Sequence, residues 1–178
     1  MFACLYLPPP ARGPASIENA GVIQLARDFS PRVETHGDRT VTLDISGLGS
    51  LLGDARAIGE ELRRTAADRA LGVHVAIATT ATAAILLARA RAGLTVIPPG
   101  EEAAALAPLP LSALATIDAG RSTIDDRRSP MDDLRRWGLR TLGDLAAIPS
   151  ADLSERLGQP GLVWQRWARG VRADLVDR

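Results

Sequence analysis

The stretch Thr40-Val41-Thr42-Leu43-Asp44-Ile45-Ser46-Gly47 decides the fold class. Val41, Leu43 and Ile45 alternate with Thr42 and Asp44, so one face is apolar and the other polar, as in a half-buried strand. Gly37-Asp38, a turn-forming pair, separates this strand from another over residues 32–36, and the two read as a hairpin spanning 32–36 and 40–46. Upstream, the apolar run at residues 2–7 reads as a buried strand that ends at Pro8-Pro9-Pro10. Ser16 reads as the N-cap of a helix through Arg27, with Ile17, Ala20, Ile23 or Gln24, and Ala26 near one face, stopped by Pro31. Downstream, Asp54 is placed to cap a helix running to about residue 69, where Leu51, Ala55, Ile58, Leu62 and Ala66 form an apolar stripe and Glu60 and Arg64 a surface pair. A strand over 73–78, an Ala-rich helix from Thr79 or Thr80 to about residue 92, and a strand over 94–97 complete the unit.

The order strand, helix, hairpin, helix, strand, helix, strand predicts an α/β (α+β) domain with a mixed sheet, close to the ferredoxin-like pattern. We place this domain at residues 1–100, a linker with one short helix at 101–130, and a helical region at 131–178. Short helices are expected there over 131–137, 142–147, 151–157 and 162–169, punctuated by Gly138, Pro149 and the stretch from Gly158 to Gly161. Residues 119–130 read as a polar loop.

The 178 residues are 46% hydrophobic and 24% charged, as in ordinary globular proteins. The formal net charge is zero, and all 21 basic residues are Arg. Gripping nucleic acid by phosphate neutralisation alone calls for a basic excess, so any DNA contact must be local or weak. A single cysteine, Cys4, rules out an intramolecular disulfide, fits a reducing, cytoplasmic setting, and reads as a small buried apolar residue. No stretch has the length and apolar character of a membrane span.

Three segments together resemble the Y-family, lesion-bypass DNA polymerases (UmuC/DinB-like). The first is Asp28-Phe29-Ser30-Pro31-Arg32-Val33-Glu34 with Leu43-Asp44-Ile45-Ser46-Gly47; the second is Gly72-Val73-His74-Val75-Ala76-Ile77-Ala78 with Gly93-Leu94-Thr95-Val96. The third is Gly138-Leu139-Arg140-Thr141-Leu142-Gly143-Asp144-Leu145 with Arg156-Leu157-Gly158 and Ala168-Arg169-Gly170. The resemblance implies a palm-type sheet followed by a small helical, thumb-like bundle related to the helix-hairpin-helix. It also implies catalysis by two divalent metals held by carboxylates. One of those acids belongs on the first strand, which here has none, and an Asp-Glu pair belongs where this chain has Arg39 and Thr40. The triphosphate-binding Lys of the family falls at Ile85. The fingers subdomain and the DNA-gripping little-finger domain are also expected to be missing.

This pattern is similar to the ImuB-type, catalytically inactive members of the family. What the resemblance then implies is a non-catalytic adaptor in DNA repair, translesion synthesis and SOS mutagenesis. Its partners would be DNA, held weakly, the DNA sliding clamp, a replicative-type error-prone polymerase and a RecA-like accessory protein. No catalytic or metal-binding residue and no cofactor are expected, and a truncated gene product also fits. Two alternatives stand beside this reading: a minimal active polymerase using Mg²⁺ with Asp38, Asp44 and Glu34, and a ferredoxin-like interaction module unrelated to DNA. Asp38 is one residue off the family's acidic position, which on a strand reverses the side-chain direction.

Candidate DNA contacts are Arg156, Gly158, Gly161, Arg166 and Arg169, around a Gly-rich turn whose backbone N–H groups could meet a phosphate. The competing reading makes Gly158 and Gly161 ordinary helix stop and start signals, and it is preferred. Trp137, Trp164 and Trp167 are candidate base-stacking residues, but packing of Trp164 and Trp167 against Leu153 and Leu157 is the favoured use. Asp125-Asp126 and Asp132-Asp133 alternate with Arg127-Arg128 and Arg135-Arg136, a self-compensating charged surface. His36 and His74 stand alone, without the three or four ligands that zinc requires.

Overall fold

The computed structural model describes residues 1–9, 16–118 and 130–171, so Asp125-Asp126 and most of the expected 119–130 loop lie outside the described residues. The chain divides into two compact units, 1–99 and 100–178.

In the first unit β1 (Phe2–Tyr6), α1 (Ser16–Phe29), β2 (Val33–Thr35), β3 (Thr40–Asp44), α2 (Gly49–Leu52), α3 (Ala55–Asp68), β4 (His74–Ala78), α4 (Ala81–Ala90) and β5 (Leu94–Val96) follow in order. They build the expected α/β architecture, a five-stranded mixed sheet of order β2-β3-β1-β4-β5. β1 is antiparallel to both of its neighbours, β3 and β4, while β5 runs parallel to β4. The hairpin forms as the sequence predicts, with Val33 opposite Leu43.

Period-two alternation sorts the strands onto two faces. Ala3, Leu5, Leu7, Val41, Leu43, Ile45, Val75 and Ile77 join Val22, Leu25 and Ala26 of α1 and Ile58, Leu62 and Ala66 of α3 in one buried core. On α1 the buried stripe is Val22, Leu25 and Ala26; of the expected face, Ala26 is buried and Ile23 packs against the core, while Ala20 is exposed and the Ile17 side chain lies outside the described residues. That stripe continues to Phe29 at i, i+3, i+4, i+7 spacing, and strands β2 and β3, against which α1 packs, select it.

Two further differences arise around α3. Leu51 belongs to the separate, four-residue α2 and is 80% exposed, because Gly53 and Asp54 break the chain before α3 begins. Glu60 pairs with Arg56, and Arg64 with Glu61 at 2.6 Å, so the expected Glu60–Arg64 pair is not made. The capping expectation fares better, since Asp54 Oδ1 accepts from the Ala57 N–H at 2.8 Å. Asp54→Ala is expected to cost about 1 kcal/mol, read as a lower urea midpoint.

In the second unit α5 (Glu102–Leu106), α6 (Ser112–Asp118), α7 (Pro130–Arg136), α8 (Leu142–Ala147) and α9 (Ser150–Ala168) follow. The stretch read as one short helix and a linker thus contains two short helices. Residues 107–111 pair with the chain entering α8 through Leu111 N–H to Arg140 O (3.0 Å), Leu142 N–H to Leu109 O (2.8 Å) and Gly143 N–H to Ala107 O (3.0 Å). Thr141 and Asp144 form a reciprocal capping box at the start of α8. The two helices expected over 151–157 and 162–169 are the halves of α9, broken at Gly158.

Candidate functional site

The sheet face opposite the main core carries Phe2, Cys4 and Tyr6 from β1, Thr40, Thr42 and Asp44 from β3, and His74 and Ala76 from β4. The registers Tyr6↔Thr40 and Tyr6↔His74 put Thr40, Tyr6 and His74 in one row across three strands. α4 lies over this face. Its Arg89 donates from Nε to Thr40 Oγ1 at 3.1 Å, and its guanidinium carbon sits 5.3 Å from the centre of the Tyr6 ring. The Tyr6 and His74 rings are 5.9 Å apart.

Strand β1, Thr40, and Arg39 just before β3 are where the resemblance places metal-binding acids. Thr40 is fully buried, and Arg39, just before β3, donates from Nη1 to Pro8 O at 3.1 Å. Cys4 is buried, and desolvation pushes its thiol far above the usual range, so it stays protonated and unreactive. Hydroxyls, a protonated thiol and a guanidinium are not a donor set for a hard divalent cation, which takes anionic and carbonyl oxygens. The residues present do not fit Mg²⁺.

The three alternative carboxylates do not converge as a set either, because Asp38 stands apart from Glu34 and Asp44. Asp38 stands in the exposed turn before β3, and Asp44 closes that strand, so Thr40 and Asp44 are ~13 Å apart at ~3.3 Å per residue. Asp44 is already committed. It accepts from the Ser46 hydroxyl at 2.6 Å and the Ser46 N–H at 3.0 Å, and pairs with Arg32 at 3.3 Å. Those donors, Ser46 before Arg32, hold its carboxyl below the usual carboxylate range. Glu34 is exposed and lies 3.9 Å from His36 Nε2. An open cleft of about 320 Å³ beside Glu34 and Asp44 is lined by both, with Arg32 as the internal cation. Among the described residues no three His, Cys, Asp or Glu side chains group to hold a metal ion.

In the helical unit the five candidate DNA contacts meet different fates. Arg169 directs its guanidinium at the end of α8, donating to Ala146 O at 2.8 and 3.1 Å and to Ile148 O at 3.4 Å. Gln165, which sequence reasoning passed over, completes that cap: its amide nitrogen donates to Ile148 O at 2.6 Å and Leu145 O at 3.3 Å, while its oxygen accepts from the Ser150 hydroxyl at 2.7 Å. Together they satisfy carbonyls that a helix C-terminus leaves unpaired. Arg156 stacks over Trp137, 5.1 Å from the ring centre. Arg166 is half-buried, and Gly161 is buried where an added Cβ would lie 2.7 Å from Leu157 Cβ. Gly158 has φ 61° and ψ −150°, a conformation almost confined to glycine, and it divides α9. Trp164 and Trp167 are 3% and 1% exposed, buried as the packing reading expects.

Sequence reasoning also missed Arg89. The one available signal was spacing, because Arg89 follows Ile85 by four residues and so shares its helix face.

No protein-family model matches the chain. Among curated proteins it is 38% identical over 148 residues to the ImuB protein of Caulobacter vibrioides (strain NA1000 / CB15N), covering 83% of this chain and 30% of that protein. It is 35% identical over 134 residues to DNA polymerase IV of Dehalococcoides mccartyi (strain CBDB1), covering 74% of this chain and 32% of that protein. The chain thus spans about 30% of the length of these relatives. Its fold matches that of DinB from Sulfolobus solfataricus with a TM-score of 0.62 at 18% identity, over 88% of this chain and 45% of that one. A Y-family chimera of Dbh and Dpo4 matches with a TM-score of 0.64 at 18% identity, over 92% of this chain and 46% of the other. The chain is a homologue of proteins named ImuB and DNA polymerase IV, and its fold is that of Y-family DNA polymerases. Among the described residues no helix is long and apolar enough to cross a membrane.

Proposed function

We propose that this chain is a non-catalytic, polymerase-like module of the DNA-damage response, an ImuB-type adaptor in translesion synthesis that holds DNA weakly and works through protein contacts. One observation carries the reading: where phosphoryl transfer would need anionic metal ligands, β1 has no acid, Arg39 and Thr40 stand in place of the acidic pair, and the Arg89 guanidinium sits on Thr40. A fixed cation there repels a divalent ion, and hydroxyls cannot replace carboxylates as ligands. Homology to ImuB and DNA polymerase IV supports the link to DNA damage. The sliding clamp, an error-prone replicative-type polymerase and a RecA-like accessory protein are the partners this proposal includes, and a pull-down from DNA-damaged cells tests them.

The decisive test is primer extension. With Mg²⁺ or Mn²⁺ and all four dNTPs, the chain is expected to add no nucleotide to a primed template. Template-directed addition above a no-protein control would overturn the proposal.

A further inference from the structure

We infer that two copies of this chain pair through the outer edge of β2, joining their sheets antiparallel about a twofold axis at Val33. The contact lies outside the proposed function and does not depend on it.

β2 is an outermost strand of the sheet, with β3 on its inner side. The ladder between them fixes which way its backbone groups point. Asp44 N–H donates to Arg32 O at 3.1 Å and His36 N–H to Thr40 O at 2.8 Å, so residues 32 and 36, and Glu34 by alternation, turn inward to β3. The N–H and C=O of Val33 and Thr35 therefore turn outward, and among the described residues no hydrogen bond reaches them. An edge of this kind accepts a further strand. A second copy run antiparallel and centred on Val33 exchanges N–H to O bonds between the two Val33 residues, the closely spaced pair of an antiparallel ladder. Opposite Thr35 then stands Pro31 of the second copy, which has no N–H to donate, so the joint stays short.

The charges select the occupant. A short edge strand bearing charged side chains resists indiscriminate pairing. Here the charges are Arg32 and Glu34, opposite in sign and one residue to either side of Val33. About an axis at Val33, Arg32 meets Glu34 of the second copy, and Glu34 meets its Arg32. Sliding one copy by two residues instead sets Glu34 against Glu34 or Arg32 against Arg32, which is repulsive. The strand is thus complementary to itself in one register. Both side chains are available, since Arg32 is 80% and Glu34 75% exposed, and their present partners are Asp44 at 3.3 Å and His36 at 3.9 Å. Exposed pairs of that kind contribute little. The cleft of about 320 Å³ lined by Glu34, Thr42 and Asp44 lies on the same face, so the arriving guanidinium meets Asp44 as well as Glu34.

Because β2 has only three residues, the joint is smaller than that of a permanent dimer, and a dissociation constant on the order of 100 µM is expected. Sedimentation velocity on the full chain, from about 5 to about 500 µM, should show the average mass rising from 18.8 kDa toward twice that value. Glu34→Arg sets Arg against Arg, and Arg32→Glu sets Glu against Glu, so each variant alone should dimerise roughly 10- to 30-fold more weakly. An equimolar mixture of the two variants restores both opposite-charge pairs and should dimerise about as well as the wild type. Hydrogen exchange on the wild type supplies a readout that needs no substitution: at the highest concentration the Val33 amide should exchange roughly three- to fourfold more slowly, the factor by which free chain is depleted. A wild type that stays at 18.8 kDa throughout overturns the inference. A dimer that both variants leave intact, or one in which the Val33 amide exchanges at its dilute rate, also overturns it and places the interface elsewhere. A mixture as monomeric as its two components, each with the wild-type circular dichroism, does the same.

Discussion

Trp167→Ala is expected to destabilise the helical unit by about 3–5 kcal/mol, the usual cost of deleting a buried aromatic side chain. Trp167 is 1% exposed near the end of α9, in the unit where Leu134, Leu142, Leu145 and Leu153 are each fully buried. Among the described residues its buried indole N–H has no hydrogen-bond partner. Trp167→Phe removes that orphaned donor and keeps most of the ring packing, so it should cost less than about 1.5 kcal/mol. Urea unfolding followed by far-ultraviolet circular dichroism checks both. A base-stacking role predicts another pattern, with two mild stability changes and a matching loss of oligonucleotide affinity.

Leu5→Ala should cost the first unit about 2–5 kcal/mol. Leu5 is fully buried on the middle strand, opposite Val41 on one side and Val75 on the other, and it belongs to the core that α1 and α3 cover. Neighbours on both flanks belong to paired strands, so they cannot collapse into the space it leaves. Leu51→Ala removes the same atoms from a side chain that is 80% exposed and should stay within about 0.5 kcal/mol. Equal effects for the two substitutions would contradict the separation of α2 from α3.

Much of the sheet was legible because period-two patterning needs only neighbours in sequence. Val41, Leu43 and Ile45 declare their common face within five residues. The α1 stripe was harder, since Ala20 and Val22 are both apolar and only the strands beneath the helix decide which one turns inward. The missing acids could be read from β1 and from Arg39-Thr40, because an absent carboxylate shows in a single row of letters. Arg89 could not, since its contact with Thr40 spans 49 positions and exists only once α4 lies over β3 and β1. The fate of Arg169 was equally hidden. A guanidinium beside a Gly-rich turn looks ready for phosphate until the packing of α8 on α9 brings unpaired carbonyls within its reach.

The sheet order carries a consequence for synthesis on the ribosome. β1 occupies the middle, paired with 40–44 on one flank and 74–78 on the other. A nascent chain that has emerged only through β3 therefore leaves one side of β1 without its hydrogen-bonding partner. At about 5–20 residues per second that edge stays bare for roughly 2–7 seconds before β4 appears. During that interval the chain is most open to pairing with a neighbour, and a chaperone that holds extended segments would matter most there.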